Sequence, residues 1–335
     1  MGRTRKSTTE FVPDPEQTAL WPDKSGNAIN GLGESEARRP TPIMWHDSGM
    51  LEHGELQDWF WAQGAKEPAL AEKRAARQKV IDTEWAPIAD HRVERPAWEN
   101  ARLVKQLALE ADADLVGIVK PQPEWVFEGY RFEYDWILML GIAMEYEKLA
   151  TAPKVTSAIE VVDKYTKGWV VGRPVSDWIR SQGYPAEPRG GPMAGPINLL
   201  PAAIECGFGE LGKHGSLINR RFGSSFRLAA VFTDLPLIAD GPDEFAADDF
   251  CAGCQVCTNA CPVDAITTRK QMVRGENKWY VDFDRCFPYF AETYGCGICI
   301  AVCPWSATGR APILAERWTK RREKRKGRSS HDSDR

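Results

Sequence analysis

The sequence contains no apolar run approaching the roughly 18 residues that a membrane-spanning helix needs. Its opening, MGRTRKSTTEFVPDPEQ, lacks the apolar segment of a secretory signal. Arg38 and Arg39 form a twin-arginine pair, but the PTPIMWHDSGMLEHGE that follows is too polar for an export signal. These absences make the cytoplasm the expected location, with no membrane partner. No Walker loop, HExxH or GxSxG is present, and GFGELG (207–212) lacks the preceding strand and the spacing of a dinucleotide turn. The common nucleotide, zinc-protease and serine-hydrolase chemistries therefore have no sequence support. Charge of one sign is not in excess: 43 Lys and Arg stand against 47 Asp and Glu, and net charge is −4. Nucleic acid is accordingly not an expected partner. The C-terminal ERWTKRREKRKGR, with eight basic and two acidic residues, reads as a solvated, disordered terminus.

What the sequence has in quantity is cysteine and tryptophan, nine and thirteen in 335 residues. Nine cysteines in a chain expected in the cytoplasm point to metal or redox chemistry rather than disulfides. Eight fall in two stretches. CAGCQVCTNACPVDAI (251–266) has the spacing C-x2-C-x2-C-x3-C-P, through Cys251, Cys254, Cys257 and Cys261. CFPYFAETYGCGICIAVCPWS (286–306) repeats the plan with nine residues in its first gap, through Cys286, Cys296, Cys299 and Cys303. Three thiolates on one tight loop can hold three corners of a 4Fe–4S cubane, while the cysteine before the proline reaches the other cluster. The expected ligation is therefore crossed. Cys251, Cys254 and Cys257 would join Cys303 on one cluster, and Cys286, Cys296 and Cys299 would join Cys261 on the second. Ala252, Gly253, Gly295 and Gly297 leave room where backbone must pass a sulfide. Paired C-x2-C also serves zinc, but a third cysteine and a trailing Cys-Pro are superfluous to one tetrahedral ion. Cys206, the ninth, reads as a buried unreactive thiol.

Upstream, the text becomes regular from about residue 97. WENARLVKQLALEADA puts Ala101, Val104, Leu107, Ala108 and Ala111 on one helical face, and DLVGIVK reads as a buried strand. YDWILMLGIAM (134–144) is a second, nearly unbroken apolar strand, as a sheet covered on both faces requires. VTSAIEVVDKYTKGWVVGRPVSDWIRSQGY predicts one or two helices stopped by Gly183, and FRLAAVFTDLPL (226–237) another strand. The organisation expected is an arm or cap over 1–95 with a helical middle near 66–81. An α/β (α+β) core over 96–244, a ferredoxin-like two-cluster domain over 245–310 and a basic tail over 311–335 follow. The arm would wrap the core or a second subunit, so a homodimer is compatible with it.

The series ADLVGI, WILMLGIAM, DKY, WIRSQGYPA, GFGELGKHGSLINRRFGSSFRLAAVFTDLPL and FCAGCQVCTNACPVDAI resembles the reductive dehalogenases, over about residues 100 to 310. The stretch Gly207 to Leu237 carries most of the likeness, and the widened gap after Cys286 also fits. The resemblance implies a nitroreductase-like core holding cobalamin base-off, with the two clusters leading to the corrin. In agreement, the five histidines (His46, His53, His91, His214 and His331) include none in the D-x-H-x-x-G context that gives cobalamin a lower ligand. It further implies halide removal from an organohalide by Co(I), fed by an external low-potential donor such as a ferredoxin or flavodoxin. The proton donor and its basic neighbour fall, by the resemblance, on Tyr165 and Arg227, with Tyr130, Tyr134 and Tyr184 as competing tyrosines. A tyrosine is a sluggish acid unless a cation stands close enough to stabilise its phenolate. Trp169, Trp178, Phe222 or Phe226 would line the apolar pocket. No residue is assigned to corrin contact. Epoxyqueuosine reductases share the architecture and FTDLPL, but their acidic donor in an Asp-Tyr-His context is missing here. Two alternatives therefore stand beside dehalogenation: a related cobalamin and iron–sulfur reductase with a non-halogenated substrate, and a cluster-only electron-transfer protein.

Overall fold

A computed structural model describes residues 10–332 except 192 and 194, with side chains as far as 325. The N-terminal arm carries α1 (Gly54–Ala65) and α2 (Pro68–Ile81). The core follows as α3 (Ala97–Glu110), β1 (Leu115–Val119), β2 (Trp136–Ala143), α4 (Val155–Ser181), β3 (Ala186–Gly190), α5 (Leu199–Glu205) and β4 (Phe226–Thr233). The cysteine region holds α6 (Ala247–Gly253), α7 (Val256–Ala260), α8 (Phe283–Glu292) and α9 (Ile298–Ala301), and the chain continues into α10 (Arg310–Asp332). Among the described residues, no helix is long and apolar enough to cross a membrane.

The core is the mixed helix and sheet fold that the pattern predicts. Its sheet runs β1-β2-β4-β3 with every pairing antiparallel. The unbroken apolar run of β2 arises because both faces are covered. Leu138, Leu140 and Ile142 meet α3 and α4 through Val104, Val171 and Val175, whereas Ile137 and Met139 meet Leu199, Ala202 and Ala203 of α5. Alternate side chains of a strand point to opposite faces, so two helical layers bury one strand completely. α4 is a single helix that continues through Pro174. An interior proline costs about 3 kcal/mol, and burial of Val171, Val175 and Ile179 around it offsets that. Strand β3 had no clear signal in the sequence. It contains Pro188 and lies at the sheet edge, where a missing N–H breaks no ladder.

The arm packs onto the cysteine region. Ile29, Ile43, Met44, Leu56 and Phe60 form one apolar cluster with Phe287 and Ala291 of α8. The twin arginines are fasteners. Arg38 pairs with Glu34 at 2.7 Å, and Arg39 donates to the carbonyls of Val126, Phe127 and Tyr130. The basic tail expected to be disordered forms α10 instead. Ala311, Leu314 and Ala315, at helical spacing, bury against Phe245 and Trp305, and Trp318 meets Phe250 at 5.4 Å. That stripe was hidden among charges that face outward. Residues 333–335 of the tail and 1–9 of the arm lie outside the described residues.

Core and cysteine region are joined at Gly223, which has φ of 57°. A Cβ there would stand 2.0 Å from the Trp305 carbonyl oxygen. Gly223→Ala is therefore expected to lower stability by more than about 2 kcal/mol, combining left-handed strain with a backbone clash. Urea unfolding of both proteins checks this, and an unchanged midpoint would show that the junction yields freely.

Candidate functional site

The eight motif cysteines form two groups. Cys303 is pushed up to about 12 by burial, with Cys257 and Cys254 as the neighbouring thiols that add to it. Burial also raises Cys251, with Cys303, Cys257 and Cys254 contributing. In the other group Cys286 is pushed to about 12 by burial, then by Cys296 and Cys261, and Cys296 to about 11 by burial and Cys261. Cys299 is raised well above its ordinary value by burial, with Cys296 and Cys286 and then Cys257 and Cys261 as the neighbouring thiols that add to it. The structure thus brings Cys303 to the first loop and Cys261 to the second. Crowded buried thiols oppose each other's ionisation and stay protonated unless cations share the charge of their thiolates. Among the described residues no three His, Cys, Asp or Glu converge on a single ion.

Two features around the thiols had no motif to reveal them. Lys213 is 1% exposed, donates to the Cys254 carbonyl at 2.7 Å and lies 4.8 Å from the Trp279 ring centre. It is a buried cation beside the first group, set against the negative charge that thiolates would bring. Tyr294, Gly295, Cys296 and Gly297 have φ of 55°, 114°, 42° and 83°. Four successive left-handed residues, two of them not glycine, are strained backbone of the kind that collects at functional sites. Cys206 is buried against Gly117 and its thiol is raised by desolvation, as an unreactive packing residue should be.

Two cavities meet at this strained loop. The larger, about 790 Å³, is lined by Cys261, Cys286, Cys296 and Cys299 together with Trp125, Leu200, His214 and Tyr289. The second, about 530 Å³, is lined by Tyr165, Arg227 and Cys296 among others. Phe290, Gly295, Cys296, Gly297 and Ile300 wall both. Tyr165 comes from α4 and Arg227 from β4, so the rigid core fixes both. Arg227 donates to the Phe226 carbonyl at 3.0 Å and keeps a buried Nε with no partner. The guanidinium lying over the Tyr165 ring, however, belongs to Arg77 of α2, 5.6 Å from the ring centre. Sequence reading missed Arg77. The competing tyrosines lie elsewhere: Tyr134 donates to Glu187 at 3.0 Å, Tyr184 is buried under Arg92, and Tyr130 borders a separate surface hollow.

The aromatic lining differs from expectation as well. Trp169 packs on Gly190, while Trp178, Phe222 and Phe226 belong to the two core layers. The rings in the second cavity are Trp45, Phe60, Trp61, Phe290 and Tyr294. They come from the arm, α8 and the strained loop, and the tryptophan richness of the arm was the one sequence hint of them. Each cavity also shows one histidine, and both rings are fully engaged. His214 Nδ1 accepts the Ser216 N–H at 3.2 Å, and its Nε2 lies 3.1 Å from Ser224 Oγ, which itself donates to Leu217. Burial holds His214 down at about 4. His46 bonds the carbonyls of Met44 and Gly195 at 2.9 and 3.1 Å.

With this geometry in view, the class of the cysteine region is plain: residues 250–307 match the 4Fe-4S dicluster domain family. More widely, the chain is homologous to reductive dehalogenases, enzymes of oxidoreductase type. It is 32% identical over 207 residues to a tetrachloroethene reductive dehalogenase of Desulfitobacterium hafniense, covering 58% of this chain and 37% of that protein. The counterpart in Sulfurospirillum multivorans is 32% identical over 179 residues, 51% of this chain and 35% of that one. An epoxyqueuosine reductase of Leadbetterella byssophila is 36% identical over 125 residues, 32% of this chain and 37% of that protein. The matched stretches thus span little more than a third of these relatives. In structure, a catabolic reductive dehalogenase superposes with a TM-score of 0.72 at 23% identity, over 98% of this chain and 49% of that one. That likeness is one of fold.

Proposed function

We propose that this chain is a reductive dehalogenase using cobalamin and two 4Fe–4S clusters. The observation that carries the reading is the second cavity: a tyrosine and an arginine line the same space as the loop that presents Cys296. A proton source and an outlet for electrons thereby open on the same volume, as reductive replacement of halogen by hydrogen requires. Cys251, Cys254, Cys257 and Cys303 would hold one cluster, and Cys286, Cys296, Cys299 and Cys261 the other. Electrons would enter from a ferredoxin or flavodoxin. Tyr165 would deliver the proton, with Arg227 and Arg77 fixing its hydroxyl.

The adjoining cavities and their glycine-rich wall suit a broad flat macrocycle, and bound cobalamin would supply a strongly reducing cobalt centre. His214 and His46 have no free ring nitrogen to offer a metal, which supports the base-off state. Anaerobic addition of cobalamin should therefore give a Co(II) spin-resonance spectrum without nitrogen superhyperfine splitting. Clear splitting would mean that a histidine or the cofactor's own base is coordinated. The likeness to dehalogenases and the absence of an Asp-Tyr-His donor support halide removal over epoxide reduction. The large cavities beside the thiols support it over simple electron transfer.

A further inference from the structure

The cation beside the first thiol group lacks a partner of opposite charge. Among the described residues no carboxylate pairs with Lys213, although it is 1% exposed. Its ammonium has three donors, and the Cys254 carbonyl takes one of them at 2.7 Å. The Trp279 ring lies against it at 4.8 Å. That indole donates to Asp248, whose other oxygen is taken by Lys270. A buried charge with no counter-charge is strongly unfavourable, and what surrounds this one is cysteine. Burial raises the Cys251 thiol, while a hydrogen bond from the Lys213 backbone N–H opposes the rise. Burial and Cys254 push up Cys257, and the charge of Lys213 pulls against them. Lys213 thus engages three of the four cysteines of the first group. The second group differs. After burial, Cys286 and Cys299 are raised by thiols, with Asp282 also acting on Cys286, and no cation stands among the groups acting on Cys286, Cys296 or Cys299. The loop of the first group is open to solvent at Ala252, Gly253 and Val256, whereas Cys261, Cys286, Cys296 and Cys299 line the larger cavity.

We propose that Lys213 sets the reduction potential of the first cluster, making it the more easily reduced of the two and the place where an incoming electron rests. A cluster held by four thiolates gains one negative charge when it takes one electron from a low-potential donor, and no bond breaks. A fixed cation in low-dielectric surroundings stabilises that added charge. The second cluster has no such cation. The electron therefore waits on the first, beside its exposed loop, until the second passes it toward the cavity of Tyr165. Lys213 acts through the cluster and touches no substrate. The inference rests on the two-cluster, crossed ligation and is independent of cobalamin and of the compound reduced.

The test is an anaerobic redox titration of the full-length protein carrying both clusters and cobalamin, with dithionite as reductant. Low-temperature spin resonance reads each reduced cluster, and the signal missing from Cys303→Ala identifies the first. In the unaltered protein the first electron should appear on that cluster. Lys213→Gln keeps an N–H for the Cys254 carbonyl without the charge, and Lys213→Met keeps neither. Both should lower the reduced-to-oxidised ratio of the first cluster at a fixed potential at least tenfold, about 59 mV for one electron. The second cluster should not move. Lys213→Arg, which keeps the charge, should lie between these variants and the unaltered protein. An unchanged potential in Lys213→Gln beside a shifted one in Lys213→Met would assign the effect to the hydrogen bond and overturn the proposal. So would a first electron that settles on the second cluster. Loss of the first cluster's iron from both neutral variants would overturn it too, since Lys213 would then hold the cluster rather than tune it. If the cluster shifts appear but no cobalt signal does, the role of Lys213 stands and the dehalogenase reading fails.

Discussion

Tyr165→Phe is expected to lower turnover by about 10²–10⁴-fold, the contribution of a positioned acid, while iron content and corrinoid binding remain. The change removes one hydroxyl from a half-buried ring on a long core helix, so packing along α4 is hardly altered. The defect should fall on kcat more than on KM, because the hydroxyl acts as the proton moves. Tyr130→Phe and Tyr184→Phe should be mild, since neither ring lines the cavity. Arg227→Lys should cost less than Arg227→Ala, as the lysine keeps a charge but not the planar fork. Near-normal turnover in Tyr165→Phe, with loss in either control, would move the donor to another tyrosine.

The second large effect concerns cluster assembly. Cys303→Ala should reduce iron from about eight to about four atoms per chain, because a cubane that loses one of four thiolates is poorly held. The cluster lost should be the one whose remaining ligands lie more than forty residues upstream, at Cys251, Cys254 and Cys257. Paired substitutions separate this from ligation within each motif. Cys254→Ala combined with Cys303→Ala should be no worse than either alone, since both strike one cluster. Cys261→Ala combined with Cys303→Ala should leave almost no iron. Within-motif ligation predicts almost no iron for both pairs, so the Cys254 and Cys303 pair is the one that decides.

The parts of the molecule legible in the sequence are those specified by short-range spacing. The cysteines announce themselves at fixed intervals, and β2 and β4 do so as apolar runs between turn residues. Strand β3 was obscured by Pro188 and Arg189, which only an edge position tolerates. Helix α10 was obscured because three small or apolar residues at the right interval sit in a basic run. The pocket was least legible. It is assembled from Trp45 and Arg77 of the arm, Tyr165 and Arg227 of the core and Cys296 of the second cysteine loop, and no periodicity links positions so distant. Family resemblance supplied Tyr165 and Arg227 because both lie within the matched stretch. Arg77 lies before it, in a helix whose charges look like an ordinary solvated face until its packing on α4 is known.

Removal of halide in the cavity of Tyr165, by reduced cobalamin fed through two clusters, is tested most sharply by halide released under anaerobic conditions. The protein would be reconstituted with iron and sulfide, with and without cobalamin, and offered haloalkenes, halophenols and halobenzoates. Reduced ferredoxin would serve as donor. Halide should appear only when cobalamin is present, and one halide should accompany each two electrons consumed. Full cluster and cobalamin loading with no halide from any of the three classes would contradict the account, as would halide release that does not depend on cobalamin.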